Sequence, residues 1–234
     1  MLRYLYGDQL SDHPLLRDTM FRDRAAQFKT RLKWKVDVDE NGFERDEYDA
    51  LNPLYVILEN NLGRHEGSLR LLPTTGRCMI NEKFCFLLGG SSLSSPLIWE
   101  STRFCLATKA FKHSASKLML AAGEVMLGFG VEQSVAVFDH TMRRIYRRIG
   151  ATPEILAEQG SGKTYIGLGL WSFSPLQRQA VARSAKVLPE HSSHWFDLAF
   201  GVSKRVVPVP LRKWLLTGAL VVWPVIYAYA DTAG

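Results

Sequence analysis

Four short stretches in the first half of the chain carry residues that bind charge or move protons. Arg24, Phe28 and Trp34 are spaced R-x3-F-x5-W. Asp46-Glu47-Tyr48-Asp49 sets two aspartates three positions apart. Arg70-Leu71-Leu72-Pro73-Thr74-Thr75 is followed by Met79 and Phe84. Trp99-Glu100-Ser101-Thr102-Arg103-Phe104 places a carboxylate three residues before a guanidinium. Guanidinium groups fork onto carboxylates, aromatic faces hold a cation or flank a ring, and a carboxylate can take a proton from a reacting amine. The same set also has a reading that needs no ligand: Arg24, Asp46, Asp49, Arg70, Glu100 and Arg103 as an ion-pair network that holds the fold.

The elements that must position these residues follow from periodicity. Residues 14–32 read as a helix with Leu16, Met20, Phe28 and Leu32 on one stripe. Arg24 lies on that stripe, where a guanidinium needs a carboxylate or a ligand. Residues 37–52 are acidic and turn-rich. Strands are expected at 54–59, 68–72, 99–107, 134–138 and 165–173, and helices at 114–129, 141–149 and 176–187. Residues 154–157 look helical. Strands alternating with helices predict an α/β sandwich. On a regular strand Glu100 and Arg103 face opposite sides, and a bulge near Ser101 or Thr102 would bring both to one site.

A chain of 234 residues suits one domain with an appendage, read here as a domain over 1–200 and an apolar tail over 201–234. The net charge of +6 favours acidic partners. Three cysteines, none in a C-x-x-C pair, read as reduced thiols of a cytoplasmic protein, and the N-terminus lacks the apolar region of a signal peptide. In the tail, residues 214–230 carry no charge but are short for a membrane span and interrupted by Pro224. Membrane contact there is the lesser reading, behind a buried element or an apolar contact surface. The run AEQGSGKT at 157–164 fits only a loosened phosphate-loop pattern and has its strand and helix in the wrong order, so it reads as a turn. His191 and His194 lack a completing ligand set and read as surface residues. No metal site and no nucleic-acid module is expected.

In order and spacing, the four stretches resemble the acyl-homoserine-lactone synthase (autoinducer synthase) family, strongly over residues 1–107 and weakly to about 190. The resemblance implies a mixed-sheet αβα sandwich related to the N-acetyltransferase fold. It implies two substrates, S-adenosylmethionine and an acyl thioester on acyl carrier protein, with no metal or bound cofactor. The methionine amine attacks the thioester to form an amide, and the methionine carboxylate then closes a lactone and expels methylthioadenosine. On this reading Glu100 is the candidate general base, and backbone N–H groups at a distorted strand would stabilise the oxyanion. Arg24, Phe28, Trp34, Asp46, Asp49 and Arg103 are candidates for binding S-adenosylmethionine, and Arg70 for a structural ion pair. Phe84, Met79, Thr102, Leu118, Ala122, Val137 and Met142 are candidates for the thioester and acyl pocket.

In the second half, Arg143, Arg144, Arg147 and Arg148 share one face of a short helix, opposite Met142, Ile145, Tyr146 and Ile149. They read as a solvated face or, with the resemblance, as a dock for the acidic carrier protein. Neither Phe138 nor Asp139 is the threonine that often accompanies 3-oxo substrates in this family, which counts against a 3-oxo preference. The rival function is an N-acyltransferase that uses acyl-CoA and a different amine. Against it, residues 121–130 contain no R/Q-x-x-G-x-G/A loop for the CoA pyrophosphate, and such an enzyme does not need the Arg24–Phe28–Trp34 set. A second rival is a non-enzymatic basic protein docked on a membrane or nucleic acid.

Overall fold

The computed structural model describes residues 1–201, so the apolar tail lies outside the described residues. Seven strands form one sheet: β1 (Leu2–Tyr6), β2 (Leu54–Glu59), β3 (His65–Pro73), β4 (Ile98–Leu106), β5 (Gln133–Phe138), β6 (Glu154–Gln159) and β7 (Ile166–Ser172). Their spatial order is β1-β2-β3-β4-β5-β7-β6. All neighbours are antiparallel except β4 and β5. The helices are α1 (Pro14–Arg24), α2 (Met79–Glu82), α3 (Ser114–Phe129), α4 (His140–Ile149), α5 (Pro175–Ala185) and α6 (Pro189–Phe200). The parallel β4–β5 pair is linked by α3, the crossover such a pair requires.

β2 shows why this is a three-layer sandwich. Leu54, Val56 and Leu58 pack with Leu118, Ala121 and Val125 of α3. The alternate residues Tyr55 and Ile57 pack with Leu16, Met20 and Phe21 of α1. A strand apolar on both faces must be covered on both. The α/β class is therefore as expected, and among the described residues no helix is long and apolar enough to cross a membrane.

Local readings diverge in places. Residues 154–157 belong to strand β6, paired with β7. Only Ile155 and Ala157 are part-buried there, and so short a run does not separate the helical period from the strand period. The run 157–164 spans the end of β6 and its turn into β7, so it has no phosphate-loop geometry. β1 and α6 were not foreseen. The 14–32 helix is regular only to Arg24 and continues as a π-helical turn, Ala25–Arg31.

Candidate active site

Between β4 and β5 the ladder runs only from Ile98–Gln133 to Glu100–Val135. Both strands continue, to Leu106 and Phe138. They separate around a cavity of about 1230 Å³ lined from both layers, by Phe28 and Asp46 on the α1 side and Met119 and Ala122 on the α3 side.

The polar wall begins at the end of α1. Leu32 N–H donates to the carbonyl of Gln27, and Trp34 N–H to that of Phe28. Lys33 takes the left-handed conformation, φ 58°, as in helix-terminating motifs. This reversal lays the Trp34 indole on Phe28, with centroids 5.1 Å apart and planes 6° from parallel. Trp34 stays 43% exposed while Phe28 is buried, so one indole face remains available at the cavity.

The acidic loop is ordered by its own side chains. Asp46 accepts from the Asp49 N–H (3.2 Å), and Asp49 accepts from the Asp46 N–H (2.9 Å). This reciprocal arrangement fixes both carboxylates. Arg24 forks onto Asp49 (2.9 and 2.8 Å) and donates to Glu44 (2.6 Å). Arg70 donates to Asp46, Asp49 and the Thr102 hydroxyl. Arg103 donates to Glu44 (3.0 Å) and Asp46 (2.7 Å). Three guanidinium groups and three carboxylates thus neutralise one another. Burial alone would push the Asp49 carboxyl up, but Arg24 and Arg70 together hold it well below the usual carboxylate range.

The bulge lies slightly beyond its expected position. Ser68 pairs with Cys105 and Arg70 with Thr102, so β4 carries one extra residue at Arg103–Phe104. Arg103 itself is left-handed at φ 53°, a conformation disfavoured for a non-glycine residue and typical of constrained sites. The bulge lets Glu100, Thr102 and Arg103 line the same cavity.

Glu100 stands apart from the ion-pair network. Its carboxylate is 2% exposed and accepts from the backbone N–H groups of Met79 (2.9 Å) and Ile80 at the start of α2. Burial pushes its pKa up; the two N–H donors and Arg70 only partly offset this.

The cavity does not gather every expected residue. Phe28, Trp34, Asp46, Glu100, Thr102, Arg103, Met79, Phe84, Ala122, Val137 and Met142 line it; Arg24, Asp49, Arg70 and Leu118 do not. Arg24 and Asp49 were expected to touch the substrate, but they are consumed by one another behind the wall. Leu118 is fully buried in the core under β2. Glu44, read only as part of the acidic, turn-rich stretch 37–52, is fully buried and bridges Arg24 and Arg103. The sequence carries no signal for it, since Asp46, Asp49 and Glu100 already balance the three arginines, and only the structure shows Glu100 held by backbone N–H groups instead. On α4, Arg143 pairs with Glu158 at 3.0 Å, while Arg144, Arg147 and Arg148 are exposed and make no ion pair among the described residues. Residues 121–130 lie mostly inside α3; the loop that enters this helix, 107–113, contains no glycine.

Comparison with known proteins agrees with this architecture. The family model described as autoinducer synthase matches residues 8–174. An acyl-homoserine-lactone synthase of Rhizobium etli is 43% identical over 177 residues, 72% of this chain and 83% of that protein. A solved structure of the CoA-dependent acyl-homoserine lactone synthase BjaI, with SAM and isopentyl-CoA, superposes with a TM-score of 0.70 at 21% identity. It covers 80% of this chain and 90% of that one. An N-acetyltransferase structure from Lactobacillus plantarum shares the fold more distantly, with TM-score 0.51 at 13% identity over 74% of this chain and 99% of that one.

Proposed function

Since the chain belongs to the autoinducer synthase family and is an acyl-homoserine-lactone synthase, we propose that it joins S-adenosylmethionine to an acyl group delivered as a thioester on acyl carrier protein. The observation that carries this reading is the split between β4 and β5, with a buried, pKa-raised carboxylate at its closed end and an exposed indole face on the same cavity.

The α1 side takes S-adenosylmethionine. Trp34, backed by Phe28, offers an aromatic face to the sulfonium or the adenine. Arg103 faces the cavity, its Nη1 donating to the Met79 sulfur at 3.9 Å, and is the guanidinium placed to meet the substrate carboxylate. Asp46 accepts from the ammonium. Arg24, Asp49 and Arg70 act by holding Asp46 and Arg103 in place.

Glu100, directly or through a water, takes a proton from the ammonium. The freed amine attacks the thioester carbonyl, and backbone N–H groups at the Arg103–Phe104 bulge stabilise the oxyanion. Collapse forms the amide and releases the carrier thiol, which takes up a proton. The methionine carboxylate then attacks its own γ-carbon, breaking the carbon–sulfonium bond. Homoserine lactone closes and methylthioadenosine leaves with the bond's electron pair. No cofactor beyond the two substrates is needed, and a cytoplasmic location accompanies this reading.

The peptide groups of β4 and β5 beyond the last ladder pair face the cavity, where the amides of a pantetheine arm can pair with them as an added strand does. Arg144, Arg147 and Arg148 supply the positive face for an acidic carrier. The second reading is a CoA thioester as donor, favoured by the BjaI complex with isopentyl-CoA. Assaying methylthioadenosine release with matched acyl-carrier and acyl-CoA donors separates the two. The preferred donor gives the higher kcat/KM, and carrier use falls as salt rises.

A further inference from the structure

α3 carries a glycine at mid-helix, Gly123, with no turn or positive φ to account for it. Glycine there weakens a helix relative to alanine, so a tertiary contact must justify it. A Cβ built at Gly123 would lie 2.2 Å from Cζ and 2.3 Å from Cε1 of Phe173. The ring of Phe173 therefore fills the notch where a side chain would otherwise stand. Both residues line the large cavity, and Phe173 packs against the apolar cluster that contains Phe138, Tyr146 and Trp171.

The position of this ring along the split gives it a role. Phe173 directly follows Ser172, the last residue of β7, which pairs with Gln133. Gln133 in turn pairs with Ile98, at the end where β4 and β5 are still joined. Phe173 thus stands at the closed end of the wedge, on the α3 side, away from the end that opens towards Leu106 and Phe138. An acyl chain that runs into the apolar lobe from the open end meets this ring last.

We infer that Phe173, seated on Gly123, is the end wall of the acyl lobe and sets the longest fatty chain the enzyme accepts. This rests on the lactone synthase reading and adds the residue pair that measures chain length. Removing the ring opens the lobe by the depth of the notch. Adding a methyl group at Gly123 drives the ring off the helix and, since the ring borders the cavity, into the lobe. The two changes act in opposite directions, which a general loosening of the core does not produce.

The test uses the purified full-length chain with S-adenosylmethionine and an equimolar ladder of straight-chain acyl thioesters, on carrier protein and on CoA, with lactones read by mass spectrometry. Phe173→Ala is expected to raise the ratio of longer-chain to parental product about tenfold, as two extra methylenes become accommodated. Gly123→Ala is expected to shift the profile towards shorter chains. Phe173→Leu preserves apolar bulk and gives the smaller shift in the same direction as Phe173→Ala, so it decides the matter if the alanine variant does not fold. Active variants with the parental length profile would overturn the inference while leaving lactone synthesis intact. A parental enzyme that yields no lactone from any donor would overturn both.

Discussion

On the α1 side of the sheet, the cavity wall is made of charges that hold one another; on the α3 side it is made of rings seated on glycines. Phe173 rests on Gly123, and Phe138 lies against Gly167 and Gly169, where added Cβ atoms would come within 2.9 and 2.8 Å of its ring. The polar side is over-determined: each of the three guanidinium groups has at least two carboxylate partners. The apolar side is held chiefly by shape, with scattered bonds such as that from Trp171 Nε1 to the Ala151 carbonyl (2.7 Å). Directional bonds fix where a reacting amine and carboxylate must sit, while shape can change with one side chain and leave the chemistry untouched. On the proposed function, this separates the reaction from the choice of acyl group.

If the polar side is a fixed frame around one reactive group, the largest loss of rate comes from that group. Glu100→Gln is expected to lower kcat for methylthioadenosine release by about 10²-fold or more with little change in thermal midpoint. Because burial raises the Glu100 pKa, the base is lost as pH falls. The acid limb of the kcat profile should therefore lie above the ordinary carboxylate value of about 4.3. A limb at or below that value would remove Glu100 from the role.

The frame itself should show as stability. Arg24→Ala leaves Glu44 with Arg103 alone and Asp49 with Arg70 alone, a buried network one positive charge short, and a denaturation midpoint should report a loss of about 3–5 kcal/mol. The sign of the acid response follows from Asp49. Its folded carboxyl titrates below the unfolded value of about 3.9. Its stabilisation is thus complete above that pH and is lost as pH falls towards the folded value. Asp49→Asn should flatten that part of the stability profile.

Much of the polar side was legible in the sequence because charge on an apolar stripe demands an explanation. Arg24 on the face of Leu16 and Met20 required a carboxylate or a ligand; the expectation gave it the substrate, and the structure gives it Asp49 and Glu44. Glu44 escaped notice because nothing local separates it from Glu40 and Glu47. Only the Val38–Glu44 bridge and the bond from its N–H to the Phe21 carbonyl turn it inward. The bulge was anticipated as a need, but its place, Arg103–Phe104, is set by pairing with β3, which sequence does not print. The apolar side was hardly legible. Ala122 lines the cavity and Leu118, one turn earlier, is core, yet both are ordinary residues of one helical face. Gly123 drew no reading from the sequence, and only the Phe173 ring in its notch gives it one.

Smaller effects sharpen the contrast further. Trp34→Ala removes a half-exposed ring that stacks on Phe28. It should raise KM for S-adenosylmethionine about tenfold, in line with about 1–2 kcal/mol for a cation over a desolvated indole, and leave the melting temperature nearly unchanged. Smaller still, Arg147→Ala and Arg148→Ala, combined, should lower kcat/KM for a carrier-borne donor several-fold at low salt, and the difference should shrink as salt rises. The same pair should leave an acyl-CoA donor unaffected.

Coupled lactone synthesis is tested most directly by giving the purified chain S-adenosylmethionine with a panel of acyl-carrier and acyl-CoA thioesters and following methylthioadenosine and lactone together. Stoichiometric appearance of the two products, dependent on the acyl donor and lost in Glu100→Gln, is the predicted result. Amide formation without methylthioadenosine, or no turnover with any donor, would contradict it.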